Sequence, residues 1–352
     1  MDTAYTVWRQ PKETSDMAGL RRRQLGASGP EVSIIGLGAM GMSDLYGPAD
    51  EAESVATLHA AIDAGVNLVD TADFYGSGHN EMLIGRVLRE RRRDEVVLSV
   101  KFGARRTPGG GFQAAPYDVS AAAVKDRLAY SLRRLGTDYI DIYRPSRLNP
   151  EVPIEETVGA LLEMREAGYI RHIGLSEMGA DTIRRAAAVA PISDLQIEYS
   201  LLSRGPEATI LPTLRELGIG LTAYGVLSRG LLSGHWSAER ELTGTDFRAN
   251  SPRFQGEHLS ANLRLVDALG RVAQRLGATT SQVAIAWVAA QGEQIVPLVG
   301  ARRRDRLAES LAAVDVVLDR DTLDEIERAV PAGAASGQRY ASPMMSLLDS
   351  ER

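Results

Sequence analysis

The chain has 352 residues, a formal net charge of −6, 44% hydrophobic and 24% charged residues, and no cysteine. That length buries a large core, as one big α/β domain or two smaller ones, and the composition is that of an ordinary globular protein. The acidic balance argues against a general nucleic-acid binder, and the lack of cysteine excludes disulfides, thiolate zinc sites and a cysteine nucleophile.

Residues 1–19 read as a loosely ordered extension, with Met17 an alternative start. This stretch lacks the apolar segment of a secretory signal, and no run approaches the roughly 20 apolar residues of a membrane span. No membrane association and a cytoplasmic location are therefore expected. Residues 21–35, RRRQLGASGPEVSII, read as two short strands around a Gly-Ala-Ser-Gly turn.

Next comes SIIGLGAMGMSDLYG, which spells G-x-G-x-x-G after an apolar run. A dinucleotide-binding turn needs its third glycine in the first turn of a helix. Here Gly47-Pro48 would break any helix begun at Gly41, and the convincing helix starts near Asp50 or Glu51. The glycines instead give a strand a tight exit and let a ligand approach the backbone.

From there a rhythm sets in. Short apolar runs at 33–38, 66–72, 95–103, 139–145, 169–176, 194–200, 219–225 and 293–300 alternate with amphipathic stretches. Gly65, Gly136, Gly168, Gly218 and Gly292 stand as glycine stops at helix ends. Eight such units predict an α/β fold of the (β/α)8 TIM barrel type with an N-terminal β-hairpin. A doubly wound sheet is the runner-up. No linker divides the chain, so 20–335 is expected to form one barrel and 336–352 a tail on or near it. Pocket walls are expected from loops, including Thr107 to Pro116 and the long irregular segment after Ser228.

Chemistry in a TIM barrel sits where strands exit. The second strand carries Asp70, Tyr75 follows it, and Lys101 lies near the exit of the third. A buried ammonium needs a carboxylate, which Asp70 can supply. A cation near Tyr75 is expected to lower the phenol's pKa and make it a usable proton donor. Ser176 and Glu177 end the fifth strand, Gln196 and Tyr199 belong to the sixth, and Tyr224 ends the seventh. Serine and glutamine can hold a planar carboxamide, and a tyrosine face can stack on a flat ring. After the eighth strand, Arg302, Arg303, Arg304 and Arg306 crowd a helix N-terminus, where cations are unfavourable unless an anion binds. Three adjacent arginines cannot all face one ligand.

The motifs GLGAMGMS, NLVDTADFYGSGHNEMLIGRVL, VVLSVKFG, DYIDIYRPSRLNP, GYIRHIGLSE, LQIEYSLLSR, GIGLTAYGVLSRGLLSG and IVPLVGARRRDRLAES together resemble the aldo-keto reductase family from about Arg21 onward. The resemblance implies a barrel that binds NADPH without a Rossmann domain, with GLGAMG beside the nicotinamide. It implies a catalytic set of Asp70, Tyr75 and Lys101, and it places Ser146 where the family usually has histidine. For the cofactor it implies Met40 near the nicotinamide, Ser176 and Gln196 on the carboxamide, and Tyr224 stacked on the ring. Gly225, Leu227, Ser228, Arg229 and Gly230 match the pyrophosphate loop. Gly300, Arg302 and Arg306 match the 2′-phosphate site, and Glu309 and Ser310 the adenine contacts. The expected activity is NADPH-dependent reduction of an aldehyde or ketone of a small molecule, with no metal. The absent histidine keeps two alternatives open: an NADPH-binding sensor or partner subunit with little turnover, and a reductase of an activated C=C bond.

Overall fold

The computed structural model describes residues 20–43, 45–242 and 246–352; the expected extension at 1–19 lies outside them. The strands β1 (Arg22–Gln24) and β2 (Glu31–Ser33) pair antiparallel as the N-terminal hairpin. The barrel strands are β3 (Gly36–Gly38), β4 (Leu68–Ala72), β5 (Val97–Phe102), β8 (Ile140–Pro145), β9 (Ile170–Ser176), β10 (Ile192–Glu198), β11 (Gly220–Tyr224) and β12 (Ile295–Gly300). They close in that order into one parallel barrel. Between β5 and β8 lies a second antiparallel hairpin, β6 (Ala104–Arg106) and β7 (Phe112–Tyr117). It corrects the expectation of a plain loop over residues 107–116. The glycine-rich tip is a tight turn closed by Thr107 N–H to Gly111 O, 2.8 Å.

The helices are α1 (Glu51–Asp63), α2 (His79–Leu88), α3 (Ala121–Leu135), α4 (Ile154–Glu166), α5 (Ala180–Val189), α6 (Ile210–Leu217), α7 (Gly256–Arg275), α8 (Thr280–Ala290), α9 (Arg304–Leu311), α10 (Arg320–Ala329) and the short α11 (Ser342–Met345). Asp50 caps α1 by accepting from the Glu53 N–H at 2.8 Å, so the helix begins after Gly47-Pro48, as the sequence requires. Gly65, Gly136, Gly168 and Gly218 take positive φ after helices; Gly292 does not, and is an ordinary linker residue before β12. Among the described residues no helix is long and apolar enough to cross a membrane.

Strand parity sets the interior of the barrel, because residues two apart face the same way. At the bottom, Leu68, Ile142, Val296 and Leu298 form an apolar layer that Leu25 and Val32 of the hairpin plug from below. Each such fully buried side chain contributes roughly 1.5–3 kcal/mol. Arg23 fastens the hairpin by donating to Ala289 O at the carboxyl end of α8, to Gly292 O in the linker and to Ile295 O at the start of β12. Two residues further along the same strands the interior turns polar: Asp70 follows Leu68, and Arg144 follows Ile142. The alternate residues of each strand face the helices instead, as in the stacked rings of Phe102 and Tyr143, 4.5 Å apart.

Candidate active site at the carboxyl end of the barrel

Asp70 is the hub of the polar layer. Lys101 Nζ donates to its Oδ1 at 2.5 Å, while Ser99 Oγ and Gln196 Nε2 donate to Oδ2 at 2.8 and 2.7 Å. Lys101 also donates to Thr71 O at 3.2 Å. The pairing of β4 with β5 sets Asp70 opposite Ser99 and Ala72 opposite Lys101, which puts all three polar groups on the inner face. Tyr75 opens a tight turn in which Gly76, Ser77 and Gly78 all have positive φ. Its ring lies under Lys101 Nζ, 5.1 Å from ring centroid to nitrogen. The expected trio of Asp70, Tyr75 and Lys101 is therefore brought together.

The electrostatics correct one expectation. Burial pushes the Tyr75 phenol well above its ordinary pKa; the Asp70 charge adds to the rise, and the Arg147 guanidinium pulls the other way. Burial also lowers the Lys101 ammonium, with Asp70 pulling it back up. The phenol is thus raised rather than made acidic, because desolvation is the largest effect on it.

Ser146 follows β8 and is 1% exposed; its Oγ has no hydrogen-bond partner. The neighbouring Arg147 donates Nη1 to Ser146 O at 2.7 Å and to Ser176 Oγ at 3.4 Å. Its Nη2 reaches the Tyr340 hydroxyl at 3.5 Å. Ser176, the last residue of β9, is thus beside Ser146 rather than isolated.

Tyr224 donates its hydroxyl to Glu177 Oε1 at 2.7 Å and meets the Tyr340 hydroxyl at 2.9 Å. Glu177 is fully buried with a positive φ. Arg339 of the tail grips both its oxygens, at 2.9 and 2.5 Å. Burial would raise this carboxyl, but the Arg339 charge and hydrogen bonds outweigh it and bring the pKa down to about 2. Tyr199, by contrast, packs on Trp287 and donates to Glu207, away from the cluster.

The remaining expected residues sit on the same rim. Met40 lies in the turn Met40–Met42 after β3. Gly225 and Leu227 lead into a sharp turn in which Ser228, Arg229 and Gly230 all have positive φ. The Arg229 guanidinium turns inward to Glu198 Oε2 at 2.8 Å and to Arg339 O, so only its backbone faces the rim turn. Gly300 ends β12, with open space where a Cβ would stand. The arginine run divides. Arg303 pairs with Asp305 and Arg304 with Glu53. Arg302 donates to Gly47 O and Pro48 O, at 3.3 and 3.0 Å. Arg306 contacts Glu309 Oε2 at 3.0 Å and His235. Ser310 is buried on α9.

Sequence inspection missed three groups: the Arg144–Asp194 pair inside the barrel, Arg147, and the tail residues Arg339 and Tyr340. Two arginines in DIYRPSR, in and just after an otherwise apolar strand, were the signal for the first two. Nothing local marks the tail.

An eight-stranded parallel barrel with a buried Asp–Lys pair and a tyrosine at its carboxyl end defines a TIM-barrel enzyme class, and a family model described as the aldo/keto reductase family matches residues 34–331. The chain belongs to that family, whose members are oxidoreductases using nicotinamide cofactors on small carbonyl compounds. It is 39% identical over 318 residues to probable aldo-keto reductase 1 of Glycine max, covering 90% of this chain and 91% of that one. Among solved structures, the glycerol dehydrogenase AKR11B4 from Gluconobacter oxydans matches with a TM-score of 0.75 and 29% identity, over 88% of this chain and 96% of that chain. The holo form of aldo-keto reductase AKR11C1 from Bacillus halodurans matches with a TM-score of 0.73 and 28% identity, over 89% and 97%.

Proposed function

We propose that this chain reduces an aldehyde or ketone of a small molecule with NADPH. The observation that carries the reading is the buried cluster in which Asp70 holds Lys101 against the face of Tyr75. Bound NADPH supplies the hydride that goes to the carbonyl carbon. Tyr75 holds the proton destined for the carbonyl oxygen, and its raised pKa keeps that proton in place at neutral pH. Lys101, tethered by Asp70, fixes the ring. The unpartnered Ser146 hydroxyl supplies a second donor where the family resemblance expects an imidazole.

The rim residues fit the cofactor. Gln196 gives its N–H to Asp70 and keeps its carbonyl oxygen to accept from a carboxamide, with Ser176 beside it and Tyr224 as the ring platform. Successive left-handed residues at Ser228, Arg229 and Gly230 form the kind of backbone concavity that holds anions, suited to a pyrophosphate. Met40 flanks the nicotinamide, and Gly225 and Leu227 shape the entry to that turn. Gly300 leaves room for close approach. Arg302 has no carboxylate partner among the described residues, and with Arg306 it favours a 2′-phosphate; Glu309 and Ser310 border the adenine. A cytoplasmic location accords with the cysteine-free sequence.

An NADPH-oxidation screen over simple aldehydes, diketones, pyridoxal and sugar-like ketones tests the proposal. Turnover that falls at least ~100-fold in Tyr75→Phe supports it. Full turnover in Tyr75→Phe overturns the assignment of Tyr75. Tight NADPH binding without oxidation of any member would make the chain a sensor or partner subunit, and a saturated ketone from an enone would make it a C=C reductase.

A further inference from the structure

Arg147 has no carboxylate within ion-pair distance among the described residues. Glu177 is held by Arg339, and Glu198 by Arg229 at 2.8 Å, with Arg253 and Arg339 each 3.6 Å away. Three guanidiniums thus already serve two carboxylates. Arg147 makes no ion pair; its hydrogen bonds go to the neutral oxygens of Ser146, Ser176 and Tyr340, and its Nε has no partner. Beside it stands the buried Ser146 hydroxyl, also without a partner. Arg147 as a whole is only partly buried.

We infer that Arg147 binds an anionic group on the substrate and selects carbonyl compounds that also carry a carboxylate. The inference rests on the reductase reading proposed above and names its substrate class. A guanidinium offers two parallel N–H donors in the geometry of a carboxylate. Burial works against the charge of Arg147, but the oxygens of Tyr224, Tyr340 and Tyr117 and the Glu177 charge keep it protonated. A substrate carboxylate would give this guanidinium the direct ion pair that it lacks among the described residues.

The test compares 4-carboxybenzaldehyde with benzaldehyde as substrates, in the wild type, Arg147→Met and Arg147→Lys. The acid is expected to show a kcat/KM about ten-fold higher or more, expressed mainly in KM. In Arg147→Met that preference should fall to near unity, and Arg147→Lys should keep part of it. Calorimetric titration of benzoate against benzamide, with and without NADP⁺, reads the same preference without turnover. If no aldehyde is reduced, the reductase reading fails, and the benzoate preference still decides the role of Arg147. The inference is overturned by a wild type that does not distinguish acid from neutral probe, or by Arg147→Met that keeps the distinction. An equal loss for both probes would also overturn it, since that would assign Arg147 to the cofactor or to packing.

Discussion

Arg144 of β8 and Asp194 of β10 form an ion pair inside the barrel, Nη1 to Oδ2 at 2.7 Å, with neither side chain exposed. Thr222 also donates to Asp194, and Arg144 Nη2 donates to Ser99 Oγ at 3.0 Å. Ser99 in turn donates to Asp70, so the pair supports the catalytic layer from beneath. Removing one partner leaves the other charged and buried. Arg144→Met is expected to lose about 3–5 kcal/mol in urea unfolding, and the double variant Arg144→Met/Asp194→Leu to lose much less than the two singles together.

Gly174 of β9 lies between these strands, facing the pair. A Cβ there would meet Asp194 Oδ1 at 2.9 Å, Arg144 Cζ at 3.0 Å and Ile142 Cγ2 at 3.0 Å. The glycine is needed for space rather than for backbone freedom, since its φ is not positive. Gly174→Ala should cost about 1–3 kcal/mol in the wild type. The cost should shrink in the Arg144→Met background, as a double-mutant cycle by urea unfolding would read.

Glu177 gives the fold an acid-sensitive latch. Its pKa of about 2 lies below the ordinary value of 4.5, so its contribution is fully present above pH 4.5. It is lost as pH falls from there toward 2, because the unfolded chain then takes up a proton that the folded chain resists. The difference amounts to about 3 kcal/mol. Stability measured from pH 6 down to pH 2.5 should fall less steeply in Glu177→Gln than in the wild type.

Tyr75 predicts opposite pH dependences for the two reaction directions. With its pKa raised, the phenol stays protonated across roughly pH 6 to 9, so carbonyl reduction should be level there as far as this group is concerned. Alcohol oxidation needs the phenolate as base and should rise with pH without a plateau in that range. Initial-rate profiles in both directions check this; a plateau of oxidation at neutral pH would contradict it.

The arginines after β12 should differ in their effect on cofactor choice. Arg306→Met is expected to weaken NADPH binding about 10- to 100-fold and to leave NADH nearly unchanged, because only the phosphorylated form loses a charged contact. Arg304→Ala should alter neither, since Arg304 is exposed and paired with Glu53. Fluorescence titration with both dinucleotides separates the two outcomes.

What the sequence determined by itself follows from periodicity and punctuation. Eight apolar runs divided by amphipathic stretches point to a parallel sheet with the barrel as its first reading, and Gly47-Pro48 argues that GLGAMG is a strand exit. Placing Asp70 and Lys101 at neighbouring strand exits brings them together, because adjacent parallel strands align their ends. The hairpin at 104–117 was hidden by its glycines, which read as loop although they form the turn between two short strands. Only the tertiary structure decided the rest. Arg144 finds Asp194 across β9, Arg339 of the tail reaches Glu177, and among the described residues Arg147 Nε is left without a partner. The partners in those pairs lie 50 and 162 positions apart. Local pattern specifies which face of a strand a side chain takes, but not which distant charge closure of the barrel will set beside it, nor how far burial will move a proton.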